Sequence, residues 1–230
     1  MRKSPAIHVW PAGPRDRSAH ATACPHPRDR TKRAVDLVLA AVLLIIAAPV
    51  LMLAVAAIRL DTPGPALFLQ TRVGWQGRRF RIVKLRTLYW RAGRGQVLPG
   101  DPRITRVGRW LRRSSLDELP QLLNVLRGEM SLVGPRPHAL HDDLRFARLH
   151  PAYHARRQVR PGLTGRAQIN GCRGAVRQPD DLYRRTRHDL VYVAGRSAPG
   201  DLMILLRTVG VVVRGARDAA ARLTSGVSGA

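Results

Sequence analysis

Residues 37–58 read Leu37-Val38-Leu39-Ala40-Ala41-Val42-Leu43-Leu44-Ile45-Ile46-Ala47-Ala48-Pro49-Val50-Leu51-Met52-Leu53-Ala54-Val55-Ala56-Ala57-Ile58, 22 positions without a charge. As a helix this stretch reaches about 30 Å, the thickness of a bilayer's hydrocarbon. Three readings compete. A secretory signal peptide cleaved at Ala54-Val55-Ala56 would need an unusually long charged leader, because 36 residues precede the stretch. A straight span would place its two flanks on opposite sides of the membrane. Those flanks are both basic, with 8 Lys+Arg in the 36 residues before and 32 in the 172 after. Both therefore belong on the cytoplasmic face. The third reading, a re-entrant helix, satisfies both flanks. Pro49 lies mid-stretch, removes a helix hydrogen bond and crowds the preceding turn. Two half-helices of roughly 15 Å each would enter the bilayer and return.

The remaining chain carries an unusual charge. Forty Lys+Arg face 15 Asp+Glu across 230 residues, a formal charge of +25. Only Lys3, Lys32 and Lys84 are lysines, so the basic chemistry is that of guanidinium, which grips phosphate oxygens bidentately. Polyanions are the expected partners. Apolar residues at 45% exclude a disordered basic tail. Two cysteines, Cys24 and Cys172, exclude a disulfide scaffold and a cysteine-rich zinc module, and fit free thiols in a reducing compartment. A nucleic-acid binder would explain the charge but neither the apolar stretch nor a carboxylate pair among arginines, and no binding motif of that class is present.

Organisation follows from composition. Residues 1–30 read as a disordered basic arm and 31–59 as the re-entrant membrane helix. Residues 60–214 read as the working domain and 215–230 as a flexible tail. Ala66–Gln70 and Arg79–Leu88 predict two strands joined at Gly74-Trp75-Gln76-Gly77, a hairpin on which Lys84 and Arg86 would form a solvated face. Thr105–Arg113 predicts a helix, with Arg106, Arg109 and Arg113 along one face. Further helices are expected over 115–127, Asp180–Val193 and Asp201–Arg214. The fold class is α+β, mostly helical with a small hairpin.

The chemistry concentrates in Arg112-Arg113-Ser114-Ser115-Leu116-Asp117-Glu118-Leu119-Pro120 and Gly134-Pro135-Arg136-Pro137. Glu occurs only at 118 and 129. Ser115-x-x-Glu118 fits a capping box, with Asp117 favourable in a first helical turn, where a carboxylate pKa falls. The same residues fit catalysis. Asp is an ionised nucleophile at neutral pH, and guanidiniums with a divalent cation relieve its repulsion from a phosphate. Arg112, Arg113 and Arg136 supply the guanidiniums, and Asp117 with Glu118 could hold Mg²⁺. Pro135 and Pro137 stiffen the backbone about Arg136. Pro161-Gly162-Leu163-Thr164-Gly165 reads as a loop whose NH groups could approach a phosphate. The Gly-rich fingerprints of nucleotide folds are absent, and no His set has metal-ligand spacing.

Taken in order, several blocks resemble the bacterial sugar transferase family, the monotopic polyprenyl-phosphate phosphoglycosyl transferases. They are Lys32-Arg33-x-x-Asp36, Pro49, Lys84-Leu85-Arg86-Thr87, Asp101 to Gly108, Ser115 to Gln121, Leu132 to Pro137, and Pro161 to Gly165 with Gln168 to Gly171. The resemblance implies transfer of a sugar-1-phosphate from a UDP-sugar to undecaprenyl (polyprenyl) phosphate at the cytoplasmic face of a bacterial plasma membrane. UMP would be released and exopolysaccharide, capsule or glycan assembly begun. It implies Asp117 as the nucleophile forming a phosphosugar intermediate, Glu118 as its partner, and Mg²⁺ as cofactor. Arg112 and Arg136 match phosphate-contacting positions, and Lys84 and Arg86 join them as candidates. Pro49 matches the break of a re-entrant anchor. The acceptor and membrane lipid are the implied partners, nucleic acid is not, and a homo-oligomer is left open. A non-catalytic scaffold on the same fold is the alternative. The chain departs from the family's pattern at Cys172 and at Gly195-Arg196, where an aromatic residue is common.

Overall fold

A computed structural model describes residues 27–225, apart from 94, 96 and 99. Of the expected disordered arm, residues 1–26 lie outside the described residues, as do 226–230, while 27–30 are not disordered but begin the first helix. Helix α1 runs from Pro27 to Asp61 and stays helical through Pro49. One face of it, Asp36, Ala40, Ala54 and Ile58, is buried on the rest of the chain. The opposite face is bare, with Ile45 74% and Leu53 72% exposed.

Both ends of α1 are fastened to the same body. Near the start, Arg33 donates to the Val125 and Leu126 carbonyls, Asp36 accepts from the Leu132 NH at 3.2 Å, and Lys32 meets Asp201 at 2.6 Å. At the far end, Arg86 donates to the carbonyls of Ile58, Thr62 and Pro63, and Asp61 accepts from the Val107 NH.

The hairpin forms as expected, with shifted bounds. Strands β1 (Leu67–Val73) and β2 (Arg79–Leu85) pair antiparallel, with Arg72 opposite Phe80 and Phe68 opposite Lys84. A 3₁₀ turn at Trp75–Gly77 joins them. Buried Asn124 pins β2, accepting from the Val83 NH and donating to the Arg81 carbonyl. Phe80 and Ile82 enter a core with Leu122, Val125, Met130 and Leu132, closed by Ala40 of α1. A second cluster joins Ala54 and Ile58 to Leu85 and Leu111. Lys84 shares the parity of Phe80 and Ile82, so it points into the body and is not on a solvated face.

Helix α2 spans Arg106–Ser114, and the Thr105 side chain caps it by accepting from the Gly108 NH at 2.9 Å. Gly108 lies against Thr87, and a Cβ there would collide with the Thr87 backbone. The helix expected over 115–127 is instead a 3₁₀ segment, Leu116–Gln121, running into α3, Leu122–Leu126. The capping box does not form. Ser115 sits in the left-handed region at φ 61°, its side chain caps nothing, and the Glu118 carboxylate turns elsewhere. That conformation costs about 1 kcal/mol in a residue with a Cβ and ends α2 abruptly.

A second sheet is absent from the sequence reading. Strands β3 (Ser131–Val133) and β4 (Gly162–Thr164) pair in parallel. Gly134, Gly162 and Gly165 bring these backbones so close that a Cβ on any of them would strike the neighbouring strand. The Gly162 NH donates to the Pro135 carbonyl at 3.0 Å. The Pro161–Gly165 segment is thus the packing support of the Arg136 loop rather than a phosphate-facing loop. Helix α4 (Leu140–Leu149), a 3₁₀ segment (Pro151–Gln158), α5 (Arg166–Ile169) and α6 (Pro179–Gly195) complete the body. The last helix, α7, runs from Ala198 to Ser225 beside α2, beyond the expected limit at Arg214. Ala219-Ala220-Ala221 in that extension favours helix over the expected tail.

Candidate active site

The 3₁₀ segment after Ser115 delivers two adjacent carboxylates to one place with opposite surroundings. Glu118 is clamped. Its Oε2 accepts from Arg136 Nη1 at 2.9 Å, and its Oε1 accepts from Lys84 Nζ at 2.9 Å and from Arg136 Nη2. The Arg136 guanidinium meets it through two donors, the strong bidentate geometry. Burial alone would raise the Glu118 carboxyl, but Arg136 and Lys84 overcome that and hold it well below the ordinary value. Arg136 is correspondingly raised by Glu118. Burial lowers the Lys84 ammonium, with Glu118 opposing.

Asp117 is only 8% exposed, yet no described residue hydrogen-bonds its carboxylate. Burial first, and Glu118 second, push its pKa up to about 6 against the pull of Lys84, Arg112 and Arg136. The expected lowering by a helix start does not occur, because desolvation and a neighbouring carboxylate outweigh it. At neutral pH the group is still mainly ionised. It is a desolvated carboxylate facing three cations that do not touch it.

The structure therefore gathers Asp117, Glu118, Lys84, Arg112 and Arg136. Arg112, on the last turn of α2, donates to Thr87 Oγ1 at 3.4 Å. Arg86 is not brought in. Its guanidinium is buried on the carbonyls that end α1, where it satisfies a helix C-terminus. Pro49 belongs to the anchor.

Three residues that the sequence reading passed over support the group. Arg72 lies on the inward face of β1, donates to the Pro137 carbonyl at 3.2 Å, and is lowered to about 10 by burial and then by Arg136. Its register opposite Phe80 is the signal that could have found it. Arg156 donates to the Arg136 carbonyl at 2.6 Å and is itself held by Asp189 at 2.8 and 3.0 Å. Arg173 donates to Ser115 Oγ at 3.0 Å from the loop after α5. No local pattern could have linked Arg156 or Arg173 to the site.

Among the described residues no three His, Cys, Asp or Glu side chains converge as a metal cluster. A hard ion that keeps most of its water needs only one or two carboxylates and substrate phosphates. The uncommitted Asp117 carboxylate fits that demand. Glu118 fits it less well while both its oxygens are given to Arg136 and Lys84.

Comparison with known proteins gives a consistent picture. A family model described as bacterial sugar transferase matches residues 27–215. The UDP-glucose:undecaprenyl-phosphate glucose-1-phosphate transferase of Caulobacter vibrioides is 52% identical over 192 residues, covering 80% of this chain and 72% of that protein. The undecaprenyl-phosphate glucose phosphotransferase of Komagataeibacter xylinus is 50% identical over 186 residues, 77% of this chain but 35% of that one. The exopolysaccharide production protein PSS of Rhizobium leguminosarum bv. phaseoli is 43% identical over 185 residues, 77% and 92% of the two chains.

Proposed function

This chain belongs to the bacterial sugar transferase family, and we propose that it transfers a sugar-1-phosphate from a UDP-sugar to undecaprenyl phosphate, releasing UMP. The names of its relatives make UDP-glucose the first donor to try and exopolysaccharide assembly the process served. One observation carries the chemistry: of two neighbouring buried carboxylates, Glu118 is fully ion-paired and Asp117 is left without a hydrogen bond.

The steps follow from that division. An Asp117 oxygen attacks the sugar-bearing phosphorus. The bond from that phosphorus to the bridging oxygen breaks, and UMP leaves with the oxygen. The product is an acyl phosphate that joins the phosphosugar to the Asp117 carboxylate. A phosphate oxygen of the lipid acceptor then attacks the same phosphorus and breaks the acyl-phosphate bond. That restores the Asp117 carboxylate and forms the lipid diphosphate-sugar. Partial desolvation leaves Asp117 a stronger nucleophile than a hydrated carboxylate. Arg112, Arg136 and Lys84 face the charge that gathers on the phosphoryl oxygens. Glu118 keeps Arg136 and Lys84 aimed and prevents either from closing on Asp117. Mg²⁺, when bound by Asp117 with the donor's phosphates and water, would neutralise diphosphate charge.

The membrane placement belongs to the same proposal. α1 enters from the cytoplasmic face of the plasma membrane and returns to it, so the protein is monotopic. Two features support this: both ends of α1 are fastened to one body, and the exposed apolar side chains cluster between them. The basic flanks agree. Pro49 lies between Ile46 and Met52, at the deepest part of such an excursion. The site then sits at headgroup height, where a soluble sugar nucleotide and a lipid phosphate meet.

Single-turnover release of UMP from UDP-glucose tests the reaction. Wild type releases it and Asp117→Asn does not; release by the variant would refute the nucleophile. Turnover should stop in EDTA and return with added Mg²⁺, whereas full activity in the chelator removes the metal. A cysteine placed at the N-terminus should stay unlabelled by an impermeant reagent outside the cell and become reachable when Pro49→Leu restores the helix hydrogen bond that Pro49 lacks and favours a straight span.

A further inference from the structure

A cavity of ≈ 300 Å³ lies between α5, α6 and the beginning of α7. Its lining includes three arginines, Arg166, Arg196 and Arg207, and no carboxylate. The side chains of Arg166 and Arg207 donate no hydrogen bond to any described residue. None of the residues that surround Asp117 lines it. Arg196 is one of the positions at which this chain departs from the family's usual pattern. A chamber walled by guanidiniums without an acid is built for an anion, and its size suits a phosphate with a small polar group attached.

The surroundings say which anion. Met203 lines the cavity and also belongs to the outer face of α7, where Leu202, Leu206, Val209 and Val213 are exposed at helical spacing. An apolar stripe therefore begins at the mouth of a basic chamber, the pattern of a helix lying in a membrane interface. Height is fixed by α1. Asp201, beside the lining residue Gly200, accepts from Tyr192 at 2.9 Å and meets Lys32 at 2.6 Å. Lys32 stands five positions before Leu37, where the uncharged stretch starts. The cavity is thus tied to the point where α1 passes from headgroups into hydrocarbon.

We propose that this cavity binds the phosphodiester headgroup of an anionic phospholipid, with an acyl chain following the α7 stripe. The guanidiniums of Arg166 and Arg207 hold the phosphate, Arg196 adds its charge to the wall, and the bound lipid fixes the tilt of α7 against the surface. The inference rests on the membrane placement given above but not on the transfer reaction. Its test reads binding, so it can fail while the reaction stands, or survive if the reaction is wrong.

The test is native mass spectrometry of the delipidated full chain in detergent, titrated with phosphatidylglycerol or with phosphatidylcholine. Wild type should retain one phosphatidylglycerol in preference to phosphatidylcholine. Arg166→Gln, Arg196→Gln and Arg207→Gln combined should lower that retention about tenfold or more, given the strength of charge-assisted contacts. The same three positions changed to Lys should keep most of it. UMP release by the Gln variant reports that it is folded; if it is not, Arg207→Glu alone, at an exposed position, should still lower retention about fivefold. Equal retention of the two lipids, or retention untouched by these changes, overturns the proposal. Displacement by inorganic phosphate at similar concentration would assign the cavity to free phosphate. Displacement by farnesyl phosphate at much lower concentration would assign it to the isoprenoid phosphate acceptor. Either outcome overturns the phospholipid.

Discussion

Two buried clusters of arginine and carboxylate lie on either side of the Arg136 loop, and they are finished differently. Behind the loop, Asp189 is paired with Arg156, and Asp143 accepts from Tyr153 at 3.1 Å and from Arg157. His138 lies among them with Arg185 at 3.2 Å from its Nε2. Burial and then Arg156 and Arg185 hold its imidazole well below the usual His range. Its Nδ1 lies against the Tyr153 hydroxyl and 3.1 Å from Arg156 Nη1, and the Tyr153 hydroxyl donates on to Asp143. Both carboxylates there have partners. In front of the loop, Glu118 is equally well paired, but Asp117 beside it is not. The rear cluster is support; the front one holds a charge that substrate can complete. A buried ionised group without a partner is expensive, and its presence here supports the role proposed for Asp117.

The largest effect should come from removing that charge. Asp117→Asn is expected to lose at least about a thousandfold in turnover, since the covalent step disappears. It should also gain stability. Asp117 has a folded pKa near 6, above its unfolded value, so the folded state binds more protons between about pH 4 and pH 6. Wild-type stability therefore falls as pH rises through that window. The Asn variant escapes the cost, on the order of 2 kcal/mol at pH 7. Denaturant unfolding of both proteins at pH 4 and pH 7 checks this; a gap that widens toward pH 4 would contradict it.

Glu118→Gln attacks the paired neighbour instead. Arg136 and Lys84 lose their aim, and turnover should fall about a hundredfold. Glu118 also raises Asp117, so its neutralisation should move the acid limb of the rate from about pH 6 to lower pH. A limb that stays near pH 6 or moves upward, measured as kcat/KM against pH, would mean that the Glu118 charge is not what raises Asp117.

The smallest effect belongs to the rear cluster. Arg156→Lys keeps a charge near Asp189 but loses the planar donors that reach both Asp189 and the Arg136 carbonyl. Turnover should fall about tenfold through displacement of Arg136, with the acid limb unmoved. A shifted limb would tie Arg156 to Asp117 directly and erase the distinction between the clusters.

Much of this was legible in local patterns. The uncharged run at 37–58, the Gly-bounded hairpin, and Asp117, Glu118 and Arg136 all announce themselves within a few residues of sequence. The departures come from distance and register. Arg86 looks like Lys84 two positions on, but the strand ends at Leu85 and Arg86 turns to the carbonyls that close α1. Ser115 and Glu118 have capping spacing, yet Arg136, 18 residues further along, outbids the backbone for the Glu118 carboxylate. The strands β3 and β4 are three residues each and held by glycine contacts that no periodicity records. Arg156 and Asp189 are 33 positions apart and meet only in the folded chain.

The central claim is that the uncompensated Asp117 oxygen becomes bonded to phosphorus. Intact-mass measurement of the protein mixed with UDP-glucose and Mg²⁺, without lipid acceptor, tests it directly. The account expects a hexose-phosphate adduct that maps to Asp117 and is discharged when undecaprenyl phosphate is added. An unmodified protein that nevertheless delivers sugar phosphate to the lipid would contradict it.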